Sequence, residues 1–64
     1  MSEFIYMLVG SGFEWEDMIL FTDKEEAIQI SKKYPKDRVE IFQKTNAGFI
    51  PNFCYYQNGE LFTP

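Results

Sequence analysis

Thr22-Asp23-Lys24-Glu25-Glu26-Ala27-Ile28-Gln29-Ile30-Ser31-Lys32-Lys33-Tyr34-Pro35 is the stretch on which the fold turns, because it carries a full set of helix signals. Thr22 with Glu25 forms a capping box: the hydroxyl accepts from the Glu25 backbone N–H and the carboxylate returns to the Thr22 N–H. Asp23 with Glu26 offers the same arrangement one residue later, so two adjacent starts stay open. Ala27, Ile30, Ser31 and Tyr34 share a face at helical spacing, widened by Ile28. Acids fill the first turn and Lys32-Lys33 the last, which complements the helix macrodipole. Pro35 stops the helix, since its ring blocks the preceding turn.

Strand signals lie on both sides of this helix. Phe4-Ile5-Tyr6-Met7-Leu8-Val9 is apolar on both alternating faces, which suits a central strand. Gly10-Ser11-Gly12 breaks it with the positive φ that hairpin loops demand. Trp15 to Phe21 then reads as a second strand, so the first two elements form a hairpin. Beyond the helix, Arg38 to Gln43 alternates with period two and predicts a strand with Val39 and Ile41 facing the helix. Thr45-Asn46-Ala47-Gly48 is turn chemistry. Phe49 to Tyr56 is a further strand, in which Pro51 marks an edge or a bulge. Asn58-Gly59 calls for a two-residue type I′ turn, followed by a short strand from Glu60 to Thr63.

The order is ββαβββ, an α+β fold with a mainly antiparallel sheet. A helix between the second and third strands crosses over right-handedly. The simplest arrangement puts strand one between strands two and three. That gives the sheet order 2-1-3-4-5 with the helix on one face, and it places the most apolar strand in the middle.

The 64 residues allow a single domain, 1–64. A chain this short buries only about 60% of the surface it exposes when unfolded. Cys54 is the one cysteine, so no disulfide forms within the chain, and without histidine no His/Cys zinc site can be assembled. No cofactor is implied. What remains is a dense aromatic core or self-association, and the composition favours the first, since Phe, Tyr and Trp make up 19% of the residues. The unpaired thiol and the absence of a basic, apolar leader point to an intracellular protein, in which Cys54 fills the core.

Catalysis is disfavoured. Without histidine there is no Ser-His or Cys-His pair and no imidazole base. Glu14, Glu16 and Asp17 could supply paired carboxylates, but on a strand Asp17 points away from the other two. Gly10-Ser11-Gly12 lacks the Lys-Ser/Thr and the helix start of a phosphate loop. No residue is assigned a catalytic or metal-binding role.

Binding residues are easier to nominate. Phe13-Glu14-Trp15-Glu16-Asp17 could present an aromatic anchor ringed by acids. The favoured reading instead has Trp15 covering an end of the core while the carboxylates solubilise an edge strand. Lys32, Lys33, Lys36 and Arg38 could form a nucleic-acid surface with the rings of Phe53 to Tyr56, but a net charge of −4 argues against it. Phe49, Phe53 and Tyr55 lie on one face of strand four, and Ile50, Cys54 and Tyr56 on the other. A single helix covers one side of the sheet, so the rings on the other side form an apolar patch that asks for a partner.

Glu14-Trp15-Glu16-Asp17, Lys24-Glu25-Glu26-Ala27, Tyr34-Pro35, Arg38-Val39-Glu40-Ile41-Phe42 and Tyr55-Tyr56-Gln57-Asn58-Gly59 resemble stretches of small uncharacterised proteins of giant (nucleocytoplasmic large) DNA viruses. The resemblance implies a viral accessory or virion-associated protein, in host cytoplasm or virion, and carries no site with it. The expectation is a non-enzymatic interaction module that self-associates or binds a protein partner. Trp15, Glu14, Glu16, Asp17, Phe53, Tyr55 and Tyr56 are its contact residues, with no membrane partner. Two alternatives stand beside it. One is an acidic nucleic-acid mimic using Glu14, Glu16, Asp17, Asp23, Glu25 and Glu26. The other is a minimal single-stranded nucleic-acid binder using the basic cluster.

Overall fold

The computed structural model describes residues 3–64, so Met1 and Ser2 of the expected domain lie outside the described residues. Of the two possible helix starts, the chain uses Asp23: its Oδ1 accepts from the Glu25 backbone N–H at 3.0 Å. Helix α1 runs Lys24–Lys33. Tyr34, expected on the packed face, is instead the C-cap and is 43% exposed. Pro35 is the reason, because the residue before a proline is forced out of the helical region.

Five strands surround α1: β1 (Phe4–Val9), β2 (Ile19–Phe21), β3 (Arg38–Thr45), β4 (Gly48–Gln57) and β5 (Glu60–Phe62). They form one sheet in the order β2-β1-β3-β4-β5, with every neighbouring pair antiparallel. This is the α+β architecture and strand order read from the sequence. The most apolar strand does lie inside the sheet, between β2 and β3.

The helix meets the sheet through its two smallest inward residues. Ala27 and Ser31, one turn apart, are both fully buried, and so is Val39 beneath them. Tyr6, Leu8, Ile41 and Tyr56 complete the buried cluster, flanked by Phe4, Phe13, Phe21, Ile28, Ile30 and Cys54. Cys54 is a partly buried, free thiol within this packing. Ser31 is the one polar member, and both its hydrogen-bonding functions are used. Its Oγ donates to the Ile28 carbonyl at 2.7 Å and accepts from the Gly59 N–H at 2.9 Å.

That second bond fastens the β4–β5 turn to the helix. Asn58 and Gly59 both have positive φ, 52° and 81°, as a type I′ turn requires. Glycine is also needed for space, since a Cβ at position 59 would stand 2.6 Å from Lys32 Cε.

Two segments depart from the strand expectations. Residues 15–17 are a 3₁₀ turn rather than the start of β2. The Asp17 carboxylate accepts from the Glu14 N–H at 3.0 Å, and the Asp17 N–H donates to the Glu14 carbonyl at 2.9 Å. Acidic residues are poor strand formers and good local acceptors, so turn geometry wins. The expected split of Glu14 and Glu16 from Asp17 across a strand therefore does not arise.

The second departure is in β4. Tyr55 opposes Glu40 and Pro51 opposes Phe42, so Asn52, Phe53 and Cys54 stand against Ile41 alone. Asn52 Oδ1 caps this bulge by accepting from the Cys54 N–H at 3.0 Å. Phe53 sits within it at φ 68°, and it is 71% exposed. Two surplus residues keep the strand in phase, so Phe49 and Tyr55 share a face as expected.

Ser31→Ala should strand the Gly59 N–H and lower stability by about 1–2 kcal/mol, a fall in Tm of roughly 5–15 °C by thermal melting. Phe53→Asn should raise Tm by a few degrees, because asparagine tolerates the left-handed region and little packing is lost.

Candidate interaction surfaces

The cross-strand register assigns each residue to a side. Val39 and Ile41 face the helix, so their partners Leu8, Tyr6 and Tyr56 do too. The intervening residues face away. On β1 these are Ile5, Met7 and Val9; on β3, Arg38, Glu40, Phe42 and Lys44; on β4, Phe49, Pro51 and Tyr55. Leu20 and Phe62 extend this open side onto the two outer strands. Ile5, Met7, Val9, Phe42 and Tyr55 are half-buried by one another, while Leu20 is 62% exposed and Phe62 39%.

Arg38, Glu40 and Lys44 are charged residues on this side, and the Lys44 Nζ lies 5.3 Å from the centre of the Phe49 ring. Arg38 Nη2 lies 2.8 Å from Glu40 Oε2, and the guanidinium carbon stands 4.3 Å from the centre of the Tyr55 ring. That ring stacks on Phe62 with centroids 5.1 Å apart and planes 13° from parallel. Glu40 Oε2 is shielded from solvent, and Arg38 approaches it as an ion pair without an aligned hydrogen bond. The arrangement is a flat, ring-rich surface with one internal ion pair at its middle.

Among the nominated contact residues the structure separates three kinds. Phe53 and Tyr55 reach the surface as described. Tyr56 does not: it is 6% exposed and packs against Tyr6, with centroids 6.2 Å apart, so it belongs to the core. Trp15, preferred as a core cover, is 84% exposed, because the 3₁₀ turn lifts it off the sheet. Glu14, Glu16 and Asp17 are exposed around it. The signal that could have revealed the turn is Glu14 three residues ahead of Asp17, the spacing of a capping pair.

The basic cluster is divided. Lys32 packs along the Gly59 turn, Lys33 Nζ sits 5.6 Å from the Tyr34 ring centre, and Arg38 is held on the open face by Glu40. No continuous cationic track results from these residues.

An open hollow of about 350 Å³ at the end of α1 is lined by Lys33, Tyr34, Pro35, Lys36 and Asp37. A cleft of about 220 Å³ beside the helix start is lined by Phe4, Tyr6, Lys24, Ile41, Asn52, Cys54, Tyr56 and Leu61. Ligand sites usually need about 300–1,000 Å³. Among the described residues no three His, Cys, Asp or Glu side chains gather as a metal site, and no helix is long and apolar enough to cross a membrane.

Tyr6 borders this cleft. Burial holds its hydroxyl above the ordinary value of 10.0, and the neighbouring Tyr56 and the Asp23 carboxylate push the same way. The unfolded chain therefore ionises Tyr6 first. Stability should hold below pH about 10 and fall as pH rises through the higher folded-state value. Urea titrations across this range should show a shallower alkaline decline in Tyr6→Phe. No family model, curated protein or solved structure matches this chain.

Proposed function

We propose that this chain is a non-enzymatic interaction module that pairs with a second copy of itself through the open face of its sheet. In keeping with its sequence resemblance, it would serve as a small viral accessory or virion-associated protein. The observation that carries the reading is the uncovered row of Ile5, Met7, Val9, Phe42 and Tyr55 on the side opposite α1. Strands about 4.8 Å apart and about 20 Å long make this face roughly 400 Å². Apolar side chains share this area with Arg38, Glu40 and Lys44, so the apolar part lies near the low end of the roughly 300–600 Å² of the largest patches on monomers.

A second copy is the favoured occupant because the face complements itself. It is rich in rings and low in charge, with Arg38 and Lys44 against Glu40 leaving a net +1 on β3. A two-fold axis would bring each ion pair near its twin in opposite order, giving the shielded Glu40 carboxylate a second cation. The buried total would be about 800–1,000 Å², at the weak end of specific interfaces, so the dimer should be a reversible one.

Met7→Lys tests the reading. Met7 opposes Glu40 near the middle of the face, where a lysine is tolerated by a monomer and costly in a dimer. Sedimentation equilibrium should show a concentration-dependent dimer for the unaltered chain and a dissociation constant at least about 100-fold weaker for Met7→Lys. A strict monomer at millimolar concentration, or a dimer indifferent to Met7→Lys, would sink it.

A further inference from the structure

The charge of this protein is unevenly placed. Between positions 14 and 26, six acids stand against Lys24 alone, a net −5. The rest of the chain has four acids against five bases, a net +1. The acidic stretch brackets β2, an outer strand of the sheet. Glu14, Glu16 and Asp17 precede β2, Asp23, Glu25 and Glu26 follow it, and all six are exposed.

Between the two acidic groups runs an open edge. Among the described residues β2 is an outer strand with β1 as its one sheet neighbour, so its other side faces no strand. The edge is also apolar: Trp15 is 84% exposed, Leu20 62% and Ile19 50%. Ile19 pairs with Leu8 on the helix side and Leu20 with Met7 on the open side, so the border is greasy on both faces. Hydrogen-bonding backbone, flanking apolar side chains and one sign of charge are the elements of strand-addition recognition.

The charge selects the occupant. A second copy docking edge to edge would set six carboxylates against six, which rejects it. An extended segment bearing lysine or arginine is drawn in by the same groups, and its apolar residues can meet Trp15, Ile19 and Leu20. We propose that the β2 edge is a docking site for an extended, cationic segment of another protein, which adds to the sheet beyond β2. This site shares Leu20 with the dimer face but draws its charge and its backbone groups from elsewhere, and it does not depend on that face being paired.

Trp15 is the only tryptophan, so its emission reports the site directly. The probe is an end-capped peptide alternating lysine and valine, titrated into the full chain. The expected result is a saturable blue shift, weakened about tenfold between low and moderate salt because exposed charges are screened. Slowed amide exchange at Ile19 to Phe21 should accompany it and gives a second reading of strand addition. A glutamate–valine peptide should produce neither change. Glu16→Lys/Glu26→Lys should abolish the shift, whereas Met7→Lys should retain it, which separates this site from the dimer face. The proposal fails if no saturable shift is found, or if the double variant binds equally well. It fails also if a proline-interrupted lysine peptide matches the alternating one, since charge alone would then explain binding.

Discussion

Everything in this molecule hangs from the seating of α1 on the sheet through Ala27 and Ser31. Both are small and fully buried, so the helix backbone approaches Val39 closely. In a core of so few residues, a larger side chain at either position would lift the helix away from Leu8 and Tyr56 together. Ser31 adds a polar tie that alanine could not. Its hydroxyl closes the hydrogen bonding of its own helical turn and reaches the β4–β5 turn as well. Helix, central strands and the far hairpin are thereby joined at one buried oxygen, a bond that gains strength from its dry surroundings.

The same seating determines what is left over. One ten-residue helix lies on one side of a five-stranded sheet, so the other side keeps its rings uncovered. On that side β1 carries apolar residues throughout, where a solvated sheet would alternate to polar ones. β3 contributes Phe42 with three charged residues, of which Arg38 and Glu40 pair with each other and Lys44 lies over the Phe49 ring. The protein thus has a thin, complete core on one side and apolar surface on the other.

Much of this was legible in the sequence because strong local signals agreed. Asp23, Pro35 and Asn58-Gly59 set boundaries by backbone chemistry that depends little on context. The unbroken apolar run of β1 required an interior position, which determined the strand order. The misreadings came where local and tertiary effects compete. Trp15 looked like core because tryptophan is apolar, yet the Glu14–Asp17 hydrogen bond holds it in a turn clear of the sheet. Tyr34 followed the helical period but stood one residue from proline. The partner-facing role given to Tyr56 failed for a different reason. Period two identifies which residues of β4 share a side, but only the pairing with Val39 tells which side meets the helix.

The bulge in β4 reaches beyond the folded state. Gly48–Gln57 is the longest strand and among the most aromatic stretches of the chain. As a straight ribbon it would be well suited to stacking in register with copies of itself while newly made and still unfolded. Pro51 withholds a backbone donor, and the left-handed residue at Phe53 puts a corner in the ribbon. A fibril built on this segment would have to straighten that corner and forgo a rung of its ladder, so the sequence guards against its own stickiest strand.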